Sequence, residues 1–168
     1  MTMSVQMRAR LRSAKTVSAG GDLRDSKVSL CLYSPTIDIP RLTATLGCAP
    51  THALAKGQLR QPPHGRGPSP IGIWCLEAPK RLGFVRKVQF LLAATPSVQR
   101  TWRRLAKSHD VQLRCGIFLR SWNEGFELPA QMMAEIGARG WKFGAAIYSA
   151  EGDEIVEAFL TKPRKARR

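Results

Sequence analysis

The stretch covering residues 111–148 constrains this chain most. Val111, Leu113, Cys115, Ile117 and Leu119 alternate with Gln112, Arg114, Gly116, Phe118 and Arg120. Period-two alternation of this length means a strand with one buried face. A helix pattern follows from Pro129, with Met132, Met133 and Ile136 as its buried residues. A second alternating run then carries Trp141, Phe143, Ala145 and Ile147 on its inner face. The unit is strand, helix, strand, and the rest of the core has to fit onto it.

The segments before it supply the partners. Residues 27–33 read as a first strand with Val28, Leu30 and Leu32 on one face, broken by Ser34-Pro35. Asp38 caps a short helix with Pro40 in its first turn. Ile39, Leu42 and Leu46 make its apolar stripe, and Gly47 stops it. Residues 48–70, rich in Pro, Gly, His and basic residues, read as a loop. Residues 71–76 form a second strand, with Ile71, Ile73 and Cys75 on the buried face and Trp74 on the other. Phe84, Val88, Leu91, Val98, Trp102 and Leu105 carry helical spacing, and Thr95-Pro96 interrupts it as the cap and first turn of a second helix or the kink in one. Arg86, Lys87, Arg100, Arg103, Arg104 and Lys107 supply the polar side. The order is β-α-β-α-β-α-β. One-sided alternation in the long strands implies a four-stranded sheet covered on one face, an α/β (α+β) two-layer sandwich. Residues 1–26 read as a disordered extension, 27–149 as the single domain and 150–168 as a basic tail.

Charge is the compositional anomaly: 27 Lys and Arg against 12 Asp and Glu, a net +15. The excess peaks at 81–110, where seven basic residues meet a single acid, Asp110. Such a balance favours polyanions, nucleic acid among them, and Arg100, Arg103, Arg104 and Lys107 give it a helical location. No apolar run is long enough for a membrane span, and the first 26 residues lack the apolar core of a secretion signal. With four cysteines and no CxxC pair, reduced thiols in a cytoplasmic protein are expected.

Three stretches resemble a known family: VSLCLYSPTIDIPRLTATLGCAPTHALAKGQ, IGIWCLEAP and NEGFELPAQMMAEIGARGWKFGAAIY. They are similar to the bacterial domain of unknown function 4279, through Leu46, Gly47, Pro50, Thr51, Lys56, Gly57, Trp74, Leu76, Gly125, Gly140 and Tyr148. The resemblance covers about residues 27–149. It departs from the family pattern at Gln58, where an acid is usual, and at Cys75, where Ser is favoured. It implies an uncharacterised bacterial binding or accessory domain and no particular activity.

Catalytic chemistry finds little to build on. There is no nucleophile elbow, and Ser69 sits between two prolines. Cys48, His52, His64 and Cys75 match no common zinc spacing. Gly65-Arg66-Gly67 lacks the Lys and hydroxyl of a phosphate loop. No cofactor, metal or catalytic set is expected, and enzyme activity is left open. The sheet face turned from the helices is more informative. Alternation places Tyr33, Trp74, Phe118 and Tyr148 there with Arg114, Arg120 and Lys142, and Gly116, Gly144 and Ala146 between them. Aromatics with cations on an open sheet can stack bases and hold phosphates. The same face suits a protein partner or a homodimer seam, and Lys56 joins it through the family resemblance. The expected function is a binding or accessory domain. The alternatives are a nucleic-acid binder using the basic helix and aromatic face, and a partner-binding, toxin-neutralising protein.

Overall fold

The computed structural model describes residues 21–23, 25–61, 67–120 and 124–149. Its elements are β1 (Gly21–Asp22), β2 (Asp25–Ser34), α1 (Ile39–Leu46), β3 (His52–Leu54), β4 (Leu59–Arg60), β5 (Gly67–Pro68), β6 (Gly72–Glu77), α2 (Phe84–Ala94), α3 (Gln99–Leu105), β7 (Asp110–Leu119), β8 (Glu124–Gly125), α4 (Ala130–Ala138) and β9 (Lys142–Ser149). The main sheet has five strands in the order β3-β6-β2-β7-β9. All its pairs are antiparallel except β7–β9, which α4 makes parallel. Expected here were four strands. The fifth, β3, lies inside the predicted loop 48–70, and the rest of that stretch contributes the small β4–β5 ladder. The fold also begins before residue 27: β2 starts at Asp25, and β1 pairs with β8.

The register explains the core. Leu30 lies between Leu76 and Leu113, Leu32 lies between Trp74 and Val111, and Val28 is opposite Cys115. All of these face the helices and are buried with Leu42, Leu46, Phe84, Val88, Leu91, Trp102, Leu105 and Ile136. Each large apolar side chain removed from water contributes roughly 1.5–3 kcal/mol.

Trp74 therefore belongs to the core, which overturns its expected place on the open face. Both alternating sets of β6 are apolar, so periodicity alone could not choose between them. The register chooses, burying the larger indole completely and giving its Nε1–H the Thr43 hydroxyl at 3.1 Å. Ile73 and Cys75 consequently point to the open side.

α1 forms as its sequence dictates. The Asp38 carboxylate accepts the Arg41 N–H at 3.0 Å, and Pro40 lies in the first turn. Gly47 closes the helix at φ 70°, a left-handed conformation that L side chains rarely adopt. The Thr95-Pro96 break separates two helices, but Thr95 ends α2 rather than capping α3. Its hydroxyl donates back to the Leu91 carbonyl at 2.8 Å, and α3 starts only after Val98.

Two further expectations fail. Met133 is exposed, leaving Ile136 buried and Met132 half-buried on α4. Phe143, Ala145 and Ile147 stand on the side that alternation assigned, yet they are exposed. Only Trp141 of that set is buried, packed edge-on against Trp102 at 5.0 Å.

Cys31 and Cys75 face one another in the β2–β6 ladder, Cα atoms 4.2 Å apart, and are joined by a disulfide. This overturns the expectation of reduced thiols throughout; Cys48 and Cys115 are free. The predicted extension before residue 21 and the tail after residue 149 lie outside the described residues.

Candidate functional site

The open sheet face has two halves. Toward β3, Leu54 and Cys31 are buried, and the disulfide lies among them. Toward β9 the surface is bare. There Phe118 and Tyr148, opposite one another in the parallel register, stack at 4.9 Å with planes 12° apart. Gly116 lies beneath the Phe118 ring, close enough that an added Cβ would touch it in ordinary contact at 3.4 Å.

The cations of this face are engaged. Arg114 donates to the Tyr33 hydroxyl at 2.9 Å. Lys142 Nζ is 2.8 Å from the Asp110 carboxylate, which also accepts from Gln112 at 2.6 Å. These two hydrogen bonds, Lys142 first, hold the Asp110 carboxyl below the ordinary aspartate range. Arg120 pairs with Asp25 at 3.4 Å, and Lys27 with Glu77 at 3.1 Å. The structure thus brings together Tyr33, Arg114, Phe118, Lys142 and Tyr148 with Arg120 at the strand end. Trp74 is removed from the set, and Lys56 sits exposed in the turn between β3 and β4.

The helical layer differs. Trp102 and Leu105 point inward from α3, with the Trp102 Nε1–H bonded to the Pro96 carbonyl at 2.7 Å. Spacing of three and four residues therefore places Arg100, Arg103, Arg104 and Lys107 on the outer side, all exposed. Arg103 reaches the Gln99 amide at 3.1 Å; none of the four forms an ion pair among the described residues. Beside the row, a cleft of about 280 Å³ opens between α1 and the turn after α3. Thr36, Asp38, Arg41, Thr45, Arg104, Ser108 and His109 provide its polar lining. Asp38 is committed to capping α1, whereas Arg41 and Arg104 have no ion-pair partner among the described residues. His109 sits just beyond the end of α3, its Nδ1 3.2 Å from the Leu105 carbonyl.

Two cations are buried: Lys87, which helical spacing assigned to the polar side, and Arg139, which the sequence reading did not single out. Lys87 of α2 bonds the carbonyl and hydroxyl of Ser26, fastening the helix to β2. Burial lowers its pKa, with Asp25 and Glu77 acting in the opposite direction. The signal was available: Lys87 falls on the Phe84–Val88–Leu91 stripe, one turn after Phe84. Arg139, also lowered by burial, donates to the Leu92 carbonyl and Thr95 hydroxyl, both at 2.9 Å, and lies over the Trp141 ring. Both lysine and arginine fasten elements together; neither opens onto the cleft.

Among the described residues no three His, Cys, Asp or Glu side chains gather as a metal site. Cys75 is bonded to Cys31, and His64 lies outside the described residues. Burial pushes the Cys115 thiol up to about 12, so it stays protonated at neutral pH. Ser69 is buried, its hydroxyl donated to the Ile71 carbonyl at 2.7 Å.

The residues behind the family resemblance shape turns and core. Gly47 ends α1, and Gly57 turns the chain at φ 83°. The Thr51 hydroxyl donates to the Cys75 carbonyl at 3.1 Å and accepts the Glu77 N–H at 2.9 Å, pinning β3 to β6. Gln58, at the position where the resemblance leads one to expect an acid, accepts the Ala55 N–H through its side-chain oxygen at 3.0 Å, a bond a carboxylate would make equally. The model of the family described as Domain of unknown function (DUF4279) matches residues 24–150, and the chain belongs to that family. No curated protein and no solved structure matches it. The family carries no established activity, and no helix among the described residues is long and apolar enough to cross a membrane.

Proposed function

We propose that this chain is a bacterial binding or accessory domain that holds nucleic acid by its phosphates, along α3 and the adjoining cleft. One observation carries this reading. The open-face cations Lys27, Arg120 and Lys142 are paired with acids, whereas Arg100, Arg104 and Lys107 carry theirs unpaired among the described residues. Arginine forks grip phosphate oxygens bidentately, and Lys107 adds a mobile point charge. Arg41 and Arg104 flank a cleft whose Thr36 and Ser108 hydroxyls supply further donors. The aromatic side chain of α3 is buried, so the contact reads backbone charge rather than base identity. The cytoplasmic setting loses one support, since a disulfide is commoner in oxidising compartments.

Titration of a labelled single-stranded oligonucleotide over a salt series tests this. Four phosphate contacts on a single strand predict a slope of log affinity against log salt of about −3. Replacing Arg100, Arg103, Arg104 and Lys107 by Gln should flatten the slope. Replacing Lys80, Arg81 and Arg86 should change it less. Equal losses would mean bulk charge alone, and no binding at low salt would end the reading.

A further inference from the structure

From the edge of β9, which pairs with β7 alone among the described strands, we infer a homodimer in which this strand pairs antiparallel with its counterpart in a second copy, extending both sheets into one. β9 is the outer strand of the five, and all eight of its residues are exposed. Phe143, Ile147 and Tyr148 are 45%, 64% and 54% exposed. Edge strands are ordinarily protected by shortness, proline, bulges or charge. The opposite edge, β3, is only three residues long. β9 has none of these protections: it contains no proline, and its single charge, Lys142, is matched by Asp110.

The strand's own pattern selects a second copy as occupant. The run Phe143-Gly144-Ala145-Ala146-Ile147 is large, small, small, small, large. A two-fold axis through Ala145, perpendicular to the sheet, keeps both helical layers on one side. It sets Phe143 opposite Ile147 of the other copy, and Ile147 opposite its Phe143. On the other face Gly144 meets Ala146, and Lys142 lies beside Tyr148, where a cation can rest against the ring. Shifting the axis to Gly144 or Ala146 breaks the Phe143–Ile147 match. Self-complementarity under a two-fold is what an isologous interface requires. Charge agrees: between 111 and 148 four basic residues face three acidic ones, so the net +15 lies mostly away from this edge. The inference is independent of the nucleic-acid reading, and either can fail without the other.

Light scattering coupled to size exclusion on the full chain should give twice 18.6 kDa. Phe143→Glu and Ile147→Lys should each halve that mass while leaving the circular dichroism spectrum unchanged, because both side chains are exposed. Mixing the two variants should restore the dimer, since the carboxylate introduced in one copy then meets the ammonium introduced in the other across the seam. A monomeric wild type overturns the proposal, as does a dimer indifferent to Phe143→Glu or a mixture that stays monomeric. If deleting residues 150–168 from a monomeric chain raises hydrophobic-dye binding, the edge belongs to the chain's own C-terminal segment, and the proposal falls.

Discussion

β7 and β9 are neighbours in one sheet, run parallel and alternate alike, yet their fates are opposite. Leu113 is 0% exposed, while Phe143, its partner in register, is 45% exposed. Ile117 is 2% exposed and its partner Ile147 is 64% exposed. The difference lies in what stands above them. The core cluster that α1, α2 and α3 help to build reaches β6, β2 and β7 but takes in only Trp141 beside β9. Alternation reports the side a residue points to; whether that side is covered depends on where the helices lie.

The sharpest way to break this comparison is to charge both members of one register pair. Ile117→Asp should unfold the domain or cost more than about 4 kcal/mol, because a buried carboxylate has no partner there. Ile147→Asp should cost the fold of a single copy under about 1 kcal/mol, apart from any loss of pairing between copies. Thermal melts followed by circular dichroism, at a dilution where single copies prevail, decide it; equal losses would mean that β9 is covered within one copy of the chain.

Trp74 extends the comparison to β6. Trp74→Ala should cost about 3–5 kcal/mol, the range for emptying a large aromatic site, and should also strand the Thr43 hydroxyl. Phe118→Ala, on the bare half, should cost far less, with only a stacked surface pair lost. Denaturant melts of the two variants would rank them. A larger loss at Phe118 would reverse the assignment of faces.

The disulfide contrasts the covered half of the open face with the bare half. Cys31 and Cys75 are 44 residues apart, and closing such a loop limits the unfolded chain by roughly 4 kcal/mol in the chain-entropy model. Replacing both by Ser should lower stability by about 2–4 kcal/mol. A reducing agent should produce a similar shift in the wild type and none in the variant. No shift in either would show that β2 and β6 hold without the covalent link.

Legibility in the sequence followed the same division. β2, β7 and the caps of α1 were readable because polarity, Asp38, Pro40 and Gly47 each act locally. β3 was not, because three residues in a basic, Pro-rich stretch are fixed by the Thr51 hydroxyl on a strand far along the chain. The face of β6 was undecidable while both its sets were apolar, and the Cys31–Cys75 bond needed the register that periodicity does not supply. At the site, the row on α3 followed from helical spacing. The engagement of Lys142, Arg114 and Arg120 did not, since their partners Asp110, Tyr33 and Asp25 come from pairing across the sheet.

The smallest expected effect concerns the polar contact between β7 and β9. Asp110 has its carboxyl held below the ordinary 3.8 by Lys142 and Gln112. A folded value below the unfolded one contributes stability that is present above the unfolded value and is lost as pH falls through the folded one. The contact should therefore be intact at neutral pH and weaken below about pH 4. Both groups are substantially exposed, so solvent screening keeps the contribution to under about 1 kcal/mol. Asp110→Asn should lower the melting temperature slightly at pH 7, and the difference should vanish at low pH as wild-type Asp110 is protonated. At that pH the protection of the β9 amides, corrected for intrinsic exchange, should be the same in both proteins. A large, pH-independent loss from Asp110→Asn would show instead that β9 stays on the sheet through its side-chain contacts, and that the backbone ladder to β7 is the weaker tie.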